Sequence, residues 1–185
     1  EDNQSVGTAL VTNATTTVSN TAGYKAGVNV VAVTDGSTFS PYDAVFNSNN
    51  KFVGFINQIA TDNIYFLKGT LEPLYNGENL YIPATSVRSG VLINNAGGYA
   101  IGTTGALTVN GDNANTIFAV GDKVYLGNGG LLGKVSAIGA TSITFTDGTK
   151  QFVPDNAHLY ISNPLPKVFA SNNEQNRMIF EFVFI

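Results

Sequence analysis

One stretch of this chain is written twice. Residues 39–82 align with residues 118–161 without a gap, at an offset of 79 (118 minus 39). Phe39, Asp43, Val45, Asn49, Gly54 and Ile59 recur as Phe118, Asp122, Val124, Asn128, Gly133 and Ile138. Ile64, Phe66, Gly69, Thr70, Leu80, Tyr81 and Ile82 recur as Ile143, Phe145, Gly148, Thr149, Leu159, Tyr160 and Ile161. Upstream, Gly23-Tyr24-x-x-Gly27 matches Gly98-Tyr99-x-x-Gly102. A β-rich run follows each, at 28–33 and at 106–109, and the second copy then adds a longer loop at 110–115. Repetition fixes architecture before any local detail does. The chain is expected to hold two copies of one module, at 1–84 and 85–162, with a linker and apolar strand at 163–185.

Each copy punctuates itself in the same way. An Asp turn (Asp43 or Asp122) leads into a short strand at 44–46 or 123–126. Asn and Gly residues then form a tight turn, since they tolerate positive φ. A longer strand follows at 52–59 or 131–138. Its Gly54 or Gly133 marks a bulge or a close backbone approach. The next strands, 63–67 and 142–146, include Ile143 and Phe145 alternating with Ser142, Thr144 and Thr146, the period-two signature of a half-buried strand. The unit closes at 79–82 or 158–161. Residues 1–22 and 86–96 are read as holding the first strand of each copy, with the first few residues loose or partner-bound. Short strands at such spacing specify an all-β fold of two tandem small barrel or sandwich modules, an SH3-like barrel among the options. No stretch has helical periodicity, and residues 168–176 are the one place where a short helical turn is expected.

Composition narrows the function. Charged residues are 12% of the chain against a usual quarter or so, while 43% are apolar. Asn, Thr, Gly and Ser supply the polarity, which suits surfaces that meet other proteins. The net charge of −4 and scattered basic residues argue against nucleic-acid binding. There is no cysteine, hence no disulfide scaffold, zinc knuckle or thiol nucleophile. No apolar run approaches the length of a membrane helix, and the first residues lack the layout of a signal peptide.

The last nine residues, RMIFEFVFI, are unusual. In a strand, Met178, Phe180, Phe182 and Phe184 share one face, and Ile179, Glu181, Val183 and Ile185 share the other. A strand apolar on both sides has to be covered on both sides. It either lies within the chain, between the modules, or packs on another subunit. Met178, Ile179, Phe180, Phe182, Val183, Phe184 and Ile185 are therefore the candidate interface residues.

Catalytic and ligand-binding readings find little support. His158 is the only histidine, stands where the first copy has Asn79, and reads as a surface residue. Asp43 and Asp122 are the only acidic pair shared by both copies, and their turn position favours turn hydrogen bonding over acid–base chemistry. The run Gly111-Asp112-Asn113-Ala114-Asn115 hints at a calcium loop but lacks the alternating acidic pattern and later Glu. Asn13-Ala14-Thr15 is a formal glycosylation sequon. Tyr24/Tyr99 and Tyr81/Tyr160 recur, which marks core or module packing more readily than a sugar-binding platform. No catalytic, cofactor-binding or metal-binding residue is assigned, and no cofactor is expected.

The order GYAIGTTGALTVNG, FAVGDKVYLGNGGLLGKVSAIGATSITF, DNAHLYI resembles β modules in virion proteins of tailed bacteriophages, especially those of marine and cyanobacterial hosts. The likeness covers residues 98–161 well and 23–82 more loosely, because Pro41-Tyr42 replaces Val120-Gly121. It implies a non-enzymatic virion protein, most like a capsid decoration (cement) protein. On that resemblance the partners are the major capsid protein or another virion protein. Homo-oligomers, trimers among them, fit capsid symmetry, and nucleic acid and membranes are not partners. The location is the virion, assembled in the host cytoplasm. A tail or fibre-associated component, with or without host-glycan binding, and a secreted adhesion or carbohydrate-binding module are the alternatives.

Overall fold

The computed structural model describes residues 12–83 and 88–165. The first module consists of β1 (Thr12–Thr17), β2 (Val30–Ala32), β3 (Ala44–Asn47), β4 (Phe52–Ala60), β5 (Asn63–Phe66) and β6 (Asn79–Pro83). The second consists of β7 (Arg88–Ile93), β8 (Leu107–Gly111), the single turn α1 (Ala114–Ile117), β9 (Lys123–Tyr125), β10 (Leu131–Ile138), β11 (Ser142–Phe145) and β12 (His158–Tyr160). The described residues are all-β apart from that turn.

Both modules use one antiparallel strand order. The first is the six-stranded sheet β1-β6-β3-β4-β5-β2, and the second, read from β7, is the ring β7-β12-β9-β10-β11-β8 closed into a barrel. The modules differ at the seam. In the second, β7 and β8 pair in a ladder from Val91↔Gly111 to Ile93↔Val109. In the first, the bridge Val18↔Val33 joins the ends of the sheet. Ser19 N–H to the Ala32 carbonyl and Thr34 N–H to the Thr17 carbonyl, both 2.9 Å, support it. Closing a sheet on itself removes the exposed edges that would invite pairing with other chains.

Alternation along the strands fills each barrel. Ile64 and Phe66 of β5 are buried, as are Ile143 and Phe145 of β11, while their neighbours are half-exposed. Val45, Ile64, Phe66 and Leu80 lie in the first core, and their counterparts Val124, Ile143, Phe145 and Leu159 lie in the second. The repeated residues are thus mostly the ones that pack. The repeated glycine has the same explanation. Val45 faces Gly54 but Phe46 faces Phe52, so one extra residue bulges out of β4. Val124 with Gly133 and Tyr125 with Leu131 repeat the bulge in β10. A Cβ on Gly54 would stand 2.9 Å from Phe66 Cδ1, and one on Gly133 would stand 2.7 Å from Phe145 Cγ. A phenylalanine ring lies over the glycine in both copies, and any side chain there would have to displace it.

The helical turn differs from the sequence expectation. It lies at Ala114–Ile117, just past the inserted loop of the second copy. Residues 168–176, where a turn was expected, lie outside the described residues, as do residues 1–11 and 177–185, where a strand was expected. Four residues make about one turn of 3.6, too few for an apolar period to register.

Candidate interaction surfaces

The duplicated residues mostly do the same job twice. Ser40 N–H donates to Asp43 Oδ2 at 2.7 Å, and Ala119 N–H donates to Asp122 Oδ2 at 2.8 Å. Both aspartates hold their turns, as their position suggests. The Tyr24 hydroxyl accepts from Ala32 N–H at 2.9 Å, and the Tyr99 hydroxyl accepts from Thr108 N–H at 2.7 Å. These half-buried tyrosines tie a loop to β2 or β8. Tyr81 and Tyr160 are buried, at 8% and 1% exposure, so neither offers a ring to a sugar. Gly111 ends β8 while Ala114 and Asn115 open α1. No group of three His, Cys, Asp or Glu side chains that could hold a metal is found among the described residues. The tail residues Met178 to Ile185 lie outside the described residues.

Asp43 does a second job that Asp122 does not. It is almost fully buried, and a guanidinium from the other module reaches it. Arg88, the first residue of β7, donates from Nη2 to Asp43 Oδ2 at 2.5 Å and from Nη1 to the Thr38 carbonyl at 2.7 Å. Its Nε approaches the Tyr160 hydroxyl at 3.4 Å, and that hydroxyl donates to Asp43 Oδ1 at 3.0 Å. The side chains of Arg88 and Asp43 are 13% and 1% exposed. Acid, guanidinium and phenol therefore satisfy one another across the module boundary. Burial pushes the Asp43 carboxyl up, and the Arg88 charge, the Ser40 N–H and the Tyr160 hydroxyl pull it back. Burial works against the Arg88 charge too, but Asp43 and Tyr160 hold it above its ordinary value. The Tyr160 hydroxyl is held far above its ordinary value by burial and by the Asp43 charge. With so little surface open, the cluster is a lock between the modules.

Two neighbours complete the lock. Tyr42 has φ +69°, a left-handed conformation, where the second module has Gly121 at φ +99°. A non-glycine residue there is strained by roughly 1–2 kcal/mol. Its ring packs against the core of the second module, which is what the strain supports. From the other side the β9–β10 turn comes so close that a Cβ on Gly127 would sit 2.8 Å from Asp43 Oδ1. The first module has Ser48 at the position of Gly127, and it is exposed where Gly127 is buried.

His158 corrects the sequence expectation. It is half-buried and not a surface residue. Its Nδ1 is buried with no hydrogen-bond partner. Burial, and then the Arg88 charge, lower its pKa to about 4, so the imidazole is neutral at pH 7.

A second surface lies on the outside of the first barrel. Val45, Val53 and Ile56 point into the core. Ala44, Phe46 and Tyr81 point away from it and cluster with Phe52, Phe55 and Leu165. The rings of Phe46 and Phe52 are 5.5 Å apart, those of Phe46 and Tyr81 6.1 Å, and those of Phe52 and Phe55 4.9 Å. The second module has Lys123, Tyr125, Leu131 and Lys134 where the first has Ala44, Phe46, Phe52 and Phe55, and both lysines are exposed. The copies thus agree inside and differ outside. No family model and no curated protein matches this sequence. Among the described residues, no helix is long and apolar enough to cross a membrane.

Proposed function

We propose that this chain is a non-enzymatic structural protein of a virus particle, most like a capsid decoration protein that binds the outer shell and stabilises it by protein–protein contact. The observation that carries the proposal is the pairing of two barrels locked by a buried ionic cluster with an exterior only sparsely charged. A rigid body loses little conformational entropy on binding. A neutral exterior has little charge to desolvate when it is covered. The likeness of residues 98–161 to phage virion modules supports the same reading. Each bound copy would then stabilise the shell by mass action on the assembled state. The apolar tail at 177–185 belongs to the contact surface.

Gold-labelled antibody against this chain, imaged on the tailed particles that encode it, tests the assignment. Label on heads is the expected result. Label confined to tails would move the protein to the tail, and particles without label would end the virion reading.

A further inference from the structure

We propose that the outer aromatic face of the first module is the seat of the chain's own C-terminal segment, residues 177–185, with its phenylalanine side turned onto Phe46, Phe52, Phe55 and Tyr81. The proposal does not depend on what the protein binds. Ala44, Phe46 and Tyr81 point out of the barrel, yet only 5%, 4% and 8% of their surface is open. An outward face so closed has a cover. Aromatic side chains bury about 150–250 Å² each. Leu165, which packs against the cluster from outside the barrel, is too small to cover four of them alone.

The chain itself supplies the remainder. Leu165 sets the backbone down on the patch, and residues 166–185 follow it. The linker 166–176 spans up to roughly 36 Å when extended, enough to turn back across a barrel face. Beyond it come Met178, Phe180, Phe182 and Phe184, whose alternate spacing would put them on one side of a strand. Tethering raises the local concentration of this segment to the millimolar range, so its own patch is favoured over that of a second copy. The second module, with Lys123 and Lys134 at the matching places, offers no such seat. Docking this way leaves Ile179, Val183 and Ile185 outward as the surface free for a partner.

The chain has no tryptophan, so Phe182→Trp in the full-length protein is a unique reporter. Its emission is expected to be blue-shifted and shielded from a soluble quencher, and to stay so on dilution of the monomer. Phe55→Lys, which installs the second module's residue at a half-buried outer position, is expected to shift that emission to the red and open it to quencher. Truncation after Leu165 gives an independent measurement, with binding of a hydrophobic dye expected to rise severalfold. Water-like emission from the reporter, or shielding that disappears on dilution and so belongs to a second copy, would overturn the proposal. An unmoved emission in Phe55→Lys or an unchanged dye signal after truncation would do the same.

Discussion

Replacing Arg88 by Ala should separate the mechanics of the two barrels. The substitution removes the donors to Asp43 and to the Thr38 carbonyl and leaves Asp43 with Ser40 N–H and the Tyr160 hydroxyl. The carboxylate stays 1% exposed and loses its counter-ion. Removing one member of a buried ion pair costs about 3–5 kcal/mol, a large part of an ordinary domain's stability. The exposed pair Lys51–Glu72, at 3.4 Å with side chains 61% and 30% open, sets the contrast. A pair of that kind is worth about 0–1 kcal/mol. Urea denaturation at neutral pH measures the difference. The deficit should narrow in acid, because burial raises the Asp43 carboxyl and the folded variant takes up a proton before the unfolded chain does. Neutralising both partners, Asp43→Asn with Arg88→Met, should recover much of the loss, since the desolvation of two charges disappears as well. A loss under about 1 kcal/mol for Arg88→Ala would refute the lock. So would a double variant whose loss equals the sum of the two single losses.

Two further expectations follow from the same boundary. Tyr42→Gly removes an aromatic contact with the second core but relieves the left-handed strain, whereas Tyr42→Ala removes the contact and keeps the strain. Tyr42→Ala should therefore be the less stable of the two by about 1 kcal/mol, and thermal melts in which it equals or exceeds Tyr42→Gly would contradict the backbone assignment. His158 should make the protein acid-sensitive. The unfolded chain binds a proton below about 6.5 and the folded one only below about 4, so the stability that His158 lends is complete above 6.5 and is lost as the pH falls from 6.5 to 4. Discounted for partial exposure, the loss is about 2–3 kcal/mol. His158→Asn, the residue of the first module, should abolish this component, and wild-type and variant stability profiles that stay parallel across that pH range would disprove it.

The all-β class, the strand positions and the bulge at Gly54 and Gly133 were legible because duplication displays each position twice. Most apolar residues kept in both copies, such as Val45/Val124 or Phe66/Phe145, are core residues in both, although Ile82 is buried while Ile161 is 51% exposed. Barrel closure was not legible, because which strands flank the seam depends on pairing between residues as distant as Val91 and Gly111. The turn at Ala114–Ile117 was too short to show a period. The lock was half-legible. The sequence marked the change from Val120-Gly121 to Pro41-Tyr42 and gave Asp43 its turn role, but nothing in it joined Arg88 to Asp43 across 45 positions. His158 was misplaced because a polar residue beside a strand reads as exposed until the guanidinium next to it is known.

Tyr42 and Asp43 also make the contact between the two barrels one-sided. A contact between unlike surfaces of identical units has no built-in end, and repeated along a chain or between chains it grows into a filament. Here the first barrel offers an aromatic plug and a sunken acid to the second. At the matching place the second barrel has Gly121, which is exposed, and Asp122, which is half-exposed. Divergence between the copies has thus left the residues that make this contact on the first barrel alone, so the second cannot repeat it with its own turn.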